Sequence, residues 1–392
     1  MMPGTSTGLL RQLLARRTGR RSERTILDLL AGASTEALNQ MLADQDLTDR
    51  LFSAVRDHWF GSRNHRELVD LLCRARRDEL NLAARAGVIH ALQTGHTGPR
   101  YERLVRDLFC EVRGEQLTML KNLIDASPDH NDLEELVYAD IDSRAIRGEI
   151  LAHIAAEAAA VTQPEAKVLS DIDDTVICSL HDRRFPKGIT YPGVLALWEA
   201  LDQGPHANPR TLGDLTFLTA RPADLLGWVE DRTRRRLRAS GVGTSSMMTG
   251  SVLHLLTHGA MANKKIKNVR HYHQLYPEYR LVFIGDSGQG DVLVGQRLRT
   301  EFAGTVDAVL IHDVVSTDGA TRAEYASQGI VFFDTYVGAA NVARQLGLVS
   351  AAALAAVVSA CRAGFDAIEW DSPAQEAAAR ALLAGDLTAA GY

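Results

Sequence analysis

AKVLSDIDDTVICS, residues 166–179, passes from a short strand-like apolar run (Val168, Leu169) straight into Asp171, Asp173, Asp174 and Thr175. Acidic residues after a strand serve turns and helix N-caps, because their carboxylates accept backbone N–H bonds. Three within four positions exceed that need, since like charges this close repel. A compensating cation accounts for the excess. Further along the chain, "LTFLT" (215–219), "LVFIG" (281–285), "VDAVLI" (306–311) and "GIVFF" (329–333) are similar apolar runs separated by amphipathic segments. Continuous apolar strands interleaved with helices predict a doubly wound, mostly parallel α/β sheet covered on both faces. Such sheets bind ligands beyond the carboxyl ends of their strands.

Upstream the pattern differs. "RTILDLL", "DRLFSAV", "RELVDLLCRA", "YERLVRDLF", "GEQLTMLKNLI" and "RAIRGEILAHI" place apolar residues at three- and four-residue spacing, which predicts about six helices. The expected organisation is a basic, flexible tail over residues 1–22 and an all-α domain over 23–162. An α/β domain over 163–350 and an Ala-rich helical segment over 351–392 follow. The helical domain contains no cluster that looks chemical, so its expected role is to bind an unidentified protein partner or to regulate.

At 392 residues the chain is long enough for two or three cores. A net charge of −6 argues against nucleic acid as a partner, and 46% hydrophobic content is that of an ordinary globular protein. The four cysteines (Cys73, Cys110, Cys178, Cys361) form no C-x-x-C pair, so neither a disulfide framework nor a zinc cluster is indicated. No stretch reaches the roughly 18 apolar residues of a transmembrane helix. These features predict a cytoplasmic protein, with peripheral membrane association as a second option.

The first three apolar runs of the α/β region end in polar signatures: Asp171-Ile172-Asp173-Asp174-Thr175, then Thr219-Ala220-Arg221, then Gly285-Asp286-Ser287-Gly288-Gln289-Gly290-Asp291. Lys264, Lys265 and Lys267 precede the third. In a parallel sheet these strand ends share one edge, so the residues converge. Two acidic clusters brought together need a divalent cation and a lysine to offset them, and an all-oxygen site suits Mg²⁺. In such a site one carboxylate can attack phosphorus, and a second can protonate the leaving oxygen and later activate water.

The order D-x-D-x-T, a strand-final Thr, a Lys and G-D-x-x-x-x-D resembles the haloacid dehalogenase superfamily of phosphotransferases. Within it, "SDIDDTV", "YPGV", "KIKNVRHYHQLYPEYRLVFIGDSGQGD", "AVLIHDV" and "VFFDTYVGAANVARQLGLVS" resemble phosphatidate phosphatases of the actin-patch-associated type, over roughly 167–350. The resemblance implies Asp171 as nucleophile and Asp173 as acid/base. Asp171, Asp173 (through its carbonyl) and Asp286 would hold Mg²⁺, with Asp291 a further ligand or a partner behind them, and Thr219 and Lys265 would bind the phosphoryl group. Lys265 has the family's spacing to Pro277, and Lys264 is the fallback. Thr175 and Arg221 are the expected substrate contacts. "TARPADL" departs from the family's Ser-Asn-Ser-Pro-Trp-like segment, and His312 stands where an arginine is expected. Both departures bear on the choice of substrate.

The implied activity is Mg²⁺-dependent hydrolysis of a phosphomonoester through an aspartyl-phosphate, foremost phosphatidate to diacylglycerol at a membrane surface. The alternatives are a phosphatase for soluble or protein-bound phosphomonoesters and a non-catalytic binding protein. The gaps from Thr175 to Thr219 and from Thr219 to Lys265 are each consumed largely by one helix and one strand. They leave no room for a large lid, which suits a large or membrane-presented substrate.

Other signals are set aside. "GDSG" (285–288) lacks the β-barrel setting and upstream histidine of a serine protease. His254 and His258 lack an intervening acidic base. The run Arg232, Arg234, Arg235, Arg236, Arg238 reads as a solvated face. Asp174 is expected to serve the turn, and Cys178 to pack.

Overall fold

The computed structural model describes residues 3–15, 18–57, 63–93, 98–125, 132–161, 166–205, 215–222, 246–250 and 258–392, with 3–5, 215–222, 246–250, 258, 260 and 261 described by backbone alone. The chain divides into two compact units, Met1–Val161 and Thr162–Tyr392.

The first unit is helical: α1 (Pro3–Leu14), α2 (Arg20–Gly32), α3 (Thr35–Leu42), α4 (Gln45–Ala54), α5 (Asn64–Asp70), α6 (Leu82–Gln93), α7 (Pro99–Cys110), α8 (Glu115–Asp125), the single turn α9 (Leu133–Glu135) and α10 (Arg144–Ala158). Side-chain caps start several of them: Ser34 accepts from Ala37 N at 3.3 Å, Asp44 from Leu47 N at 3.1 Å and Ser143 from Ile146 N at 3.4 Å. Two expectations need correction here. The segment 1–22 is not a plain flexible tail, since α1 lies within it and α2 begins at Arg20; Leu10 supplies a buried anchor for α1. The expected six helices omit α1, α3, α6 and the single turn α9. In α6 every residue from Ala86 to Gln93 is buried, so no polar face creates the periodicity that sequence reading detects.

The second unit is built on six parallel strands: β1 (Ala166–Ser170), β2 (Leu215–Pro222), β3 (Ser246–Gly250), β4 (Arg280–Asp286), β5 (Val306–His312) and β6 (Ile330–Phe333), in the order β3-β2-β1-β4-β5-β6. The fold is α/β, as the alternation predicts. The edge strand β3 (SMMTG) lacks the β-branched apolar run that marks the others. The chain turns one way from β1 through β2 to β3 and the other way from β4 to β6. Their carboxyl ends therefore open a crevice between β1 and β4, where doubly wound sheets bind ligands.

Helices α11 (Val194–Gln203) and α15 (Tyr336–Gln345) lie against one sheet face, α16 (Ala351–Asp366) packs on both of them, and α17 (Pro373–Ala390) packs on α15. They pack Trp198, Val337, Val357, Phe365 and Leu383 into a core with Val168, Val282, Ile284, Ala308 and Leu310. The Ala-rich segment after 350 is thus part of this core. Gly193 sits at φ 86°, and a Cβ there would fall 2.2 Å from Cys361 Sγ, so α16 closes on a glycine that no other residue replaces. On the other face lie α12 (His258–Leu275) and α13 (Asp291–Glu301), with buried Ile266, Val269, Val294 and Leu298. Helix α14 (Gly319–Ser327) precedes β6.

Candidate active site

The site forms where the β1 and β4 ends meet. Asp171 continues the ladder, its N–H donating to Ile284 O at 2.9 Å, and Asp286 is the last residue of β4. Asp291 opens α13, where a helix N-terminus favours a carboxylate. Each of Asp171, Asp286 and Asp291 offers an oxygen within 4.8 Å of the others, and all three residues are buried.

Lys265 reaches the same point from α12. It occupies the buried stripe that also carries Ala262, Ile266 and Val269, and side chains on a helix lean toward its N-terminus, here toward the sheet edge. Its Nζ lies 2.9 Å from Asp171 Oδ1 and 2.5 Å from Asp291 Oδ1. Lys264, the fallback, is half-buried outside this cluster. The other Asp291 oxygen accepts from Asp286 N at 3.2 Å, so Asp291 is engaged on both sides. Asp286 is oriented by Gly288 N at 2.7 Å and Gln289 Nε2 at 3.0 Å.

Three buried carboxylates face one ammonium. Burial raises the Asp171 carboxyl; Lys265 opposes that, while the charges of Asp291 and Asp173 add to it. Burial likewise raises Asp286, with Asp291 and Asp171 contributing. Burial alone would lower Lys265, but the charges of Asp171 and Asp291 and hydrogen bonds to both hold it above its ordinary value. An all-oxygen donor set with surplus negative charge fits a hard divalent cation.

Gly285 sets the spacing. A Cβ at this position would lie 2.5 Å from Asp291 Oδ2 and 2.6 Å from its Cβ, which permits no side chain without displacing Asp291. Gly285→Ala is therefore expected to lower stability by about 1–3 kcal/mol, the range for overpacking, and to reduce turnover. Urea unfolding beside a rate assay would check it, and unchanged values for both would contradict this packing.

The remaining expected residues divide. Asp173 is half-buried on the turn after β1, and its Oδ1 accepts from Ser179 Oγ at 2.8 Å. Ser170 pairs with Phe217, which puts Thr219 two residues further along β2 at the same edge. Arg221 follows it on β2; the side chains of both lie outside the described residues. Thr175 is fully buried and its hydroxyl has no hydrogen-bond partner. Its carbonyl accepts from the Tyr336 hydroxyl, so it packs beneath the site and presents no surface to a substrate. His254, the arginine run and most of the stretch between Thr219 and Lys265 lie outside the described residues. Between Thr175 and β2 the described residues contain the single helix α11.

Asp174 turns away as expected. At φ 55° it accepts the N–H groups of Ser179 at 2.8 Å, Leu180 at 2.9 Å and His181. Burial would raise its carboxyl, but these three bonds hold it below the usual carboxylate value.

Sequence reasoning did not find the brace beneath this turn. His312 Nδ1 lies 2.8 Å from Asp174 O, and its Nε2 lies 2.9 Å from Arg184 Nη2. Arg184 donates only through N–H groups, so Nε2 accepts and the proton sits on Nδ1. Arg184 in turn grips Asp182 at 2.9 and 3.0 Å, and Asp182 accepts from the Tyr191 hydroxyl at 2.9 Å. Burial, then the Arg184 charge, pushes His312 down to about 4, so it is a neutral strut at ordinary pH.

Residues 166–313 match the family model described as phosphatidate phosphatase APP1, catalytic domain. By that match the second unit carries a phosphatase catalytic domain, a hydrolase. No curated protein and no solved structure gives a significant match.

Proposed function

We propose that this protein is a Mg²⁺-dependent phosphomonoester hydrolase of haloacid dehalogenase-like architecture, acting through an aspartyl-phosphate and converting phosphatidate to diacylglycerol. The observation that carries the reading is the meeting of Asp171 and Asp286, far apart in sequence, with Lys265 in one buried cluster. The phosphatidate phosphatase match over the same residues supports the substrate.

In this reading Asp171, Asp286 and the Asp173 carbonyl would hold the ion, and Asp291, already bonded to Lys265 and Asp286 N, would be a further ligand or orient them. When bound, Mg²⁺ neutralises and polarises the phosphoryl group. Lys265 offsets the remaining phosphoryl charge, and Thr219 binds a phosphoryl oxygen from the neighbouring strand end. An Asp171 oxygen attacks phosphorus, while Asp173 gives its proton to the departing glycerol oxygen. Asp173, now a carboxylate, takes a proton from water, whose oxygen attacks phosphorus and releases phosphate. Asp171 is thereby restored.

The setting proposed is cytoplasmic, with the enzyme working at a membrane surface; no described helix is long and apolar enough to cross a membrane. The helical unit is proposed as the module that binds a protein partner. A soluble or protein-bound phosphomonoester is the second reading, favoured by His312: buried among Tyr191, Phe333 and Tyr336, it cannot contact a headgroup as an exposed arginine would.

The test is phosphate release from phosphatidate micelles and from soluble phosphomonoesters, with Mg²⁺ and after chelation. Phosphatidate is expected to turn over fastest, with release falling to background on chelation. Metal-independent release, or none from any ester, would contradict the proposal.

A further inference from the structure

Among its described residues the second unit exposes five large hydrophobic side chains: Leu180, Leu293, Val315, Leu346 and Tyr392. Single exposed apolar residues are ordinary on protein surfaces, so their placement is what matters. Three of the five stand at the carboxyl edge of the sheet. Leu180 lies on the turn after β1, Leu293 in the first turn of α13 two residues after Asp291, and Val315 on the loop leaving β5. The three loops form one rim. The His181 ring would lie 2.8 Å from a Cβ on Gly288, and Val314 N donates to Ser287 Oγ at 2.9 Å.

Two of these side chains are held outward by their own backbones. Leu180 is 52% exposed because its turn is tied, through three N–H bonds, to the buried Asp174 carboxylate. Val315 is 51% exposed on a loop whose Val315 and Thr317 N–H groups bond Asp313, at 3.3 and 2.8 Å. Arg322 anchors that buried Asp313 in turn. Neither residue can fold inward without breaking a bond to a buried carboxylate.

Two cations stand on the segment that carries Leu180, beside the Asp173 carboxylate, which Ser179 Oγ engages. In the segment 179–188 Asp182 and Arg184 pair with each other, and the exposed charges are Arg183 and Lys187, whose Nζ donates one bond to Asp182 O at 2.8 Å. On the Val315 side the exposed Asp318 is engaged as the N-cap of α14.

We propose that Leu180, Leu293 and Val315, with Arg183 and Lys187, form a docking face for an anionic phospholipid surface, seating the catalytic edge at the headgroup layer. Apolar tips entering the boundary of headgroups and acyl chains, with cations beside them, make a reversible interfacial anchor. The proposal rests on the phosphatidate reading for its occupant.

The test is co-sedimentation of the full chain with vesicles of phosphatidylcholine and phosphatidylglycerol. Phosphatidylglycerol is anionic but carries no phosphomonoester, so binding is read without turnover. The double variant Leu180→Asp/Val315→Asp is expected to lose about tenfold or more in partition. Leu346→Asp, equally exposed but at the far end of α15, is expected to bind as the unaltered protein does. Release from p-nitrophenyl phosphate should be unchanged in both, which verifies folding. Equal vesicle binding by the double variant, or equal loss in Leu346→Asp, would overturn the proposal. Loss of vesicle binding in a protein that hydrolyses no ester would leave the docking face standing and the catalytic reading refuted.

Discussion

Asp171→Asn is expected to abolish phosphate release, by about 10⁴-fold or more, while leaving the protein folded. The amide keeps the size of the side chain but supplies no nucleophilic oxygen anion, and removing a covalent nucleophile is among the largest single losses in enzymes. Folding should survive for a reason visible in the site. Burial already disfavours charge on Asp171, and Lys265 retains Asp291 at 2.5 Å when Asp171 becomes neutral. Metal-free thermal stability should therefore be equal or slightly raised. Asp173→Asn should cost less, about 10²–10⁴-fold, as expected for loss of a general acid. Steady-state release assays with melting curves separate these outcomes. Turnover by Asp171→Asn within tenfold of the unaltered protein would remove Asp171 from the chemistry.

Lys265→Met should be the most destabilising change in the site. It preserves the apolar stem but strips the ammonium from between Asp171 and Asp291, and removing one partner of a buried ion pair costs about 3–5 kcal/mol. The pH dependence follows from the direction of the carboxylate shifts. Asp171 and Asp286 are raised in the folded state, chiefly by burial. A raised carboxyl contributes its stability below the unfolded value, about 3.9, and loses it as pH climbs through the folded value. Loss of the ammonium raises these groups further, so the deficit of the variant should widen from about pH 5 to pH 8. Added Mg²⁺ should narrow it by restoring positive charge. Urea midpoints at the two pH values, with and without Mg²⁺, check this. A deficit that shrinks as pH rises would contradict the assigned charge balance.

Why this site was legible in the sequence, and its surroundings were not, has a physical basis. Asp171 directly follows β1, Asp286 ends β4 and Asp291 opens the next helix, and parallel pairing alone brings the two strand ends to one edge. The family's spacing to Pro277 selects Lys265 over Lys264, and Lys265 is the one that falls on the buried stripe of α12, beside Asp171 and Asp291. Thr175, an expected substrate contact, is fully buried, and the φ of 55° at Asp174 redirects the chain just before it. The brace of Asp182, Arg184 and His312 left no pattern, because "HDRRF" (181–185) has the composition of a solvated loop. Only contacts spanning more than a hundred residues bury it. Gly285 was read as part of a motif, whereas its role is to admit Asp291 at van der Waals range. Helix α6 and strand β3 were missed because burial on all sides, in one, and a polar edge sequence, in the other, erase the periodicities on which such readings depend.

The most direct measurement is acid quenching during turnover with a ³²P-labelled phosphomonoester and Mg²⁺, followed by borohydride trapping and peptide mapping. A transient acyl-phosphate is predicted on Asp171, absent from Asp171→Asn and absent after chelation. Label on a different residue, or rapid turnover with no acyl-phosphate at any time, would contradict the assignment.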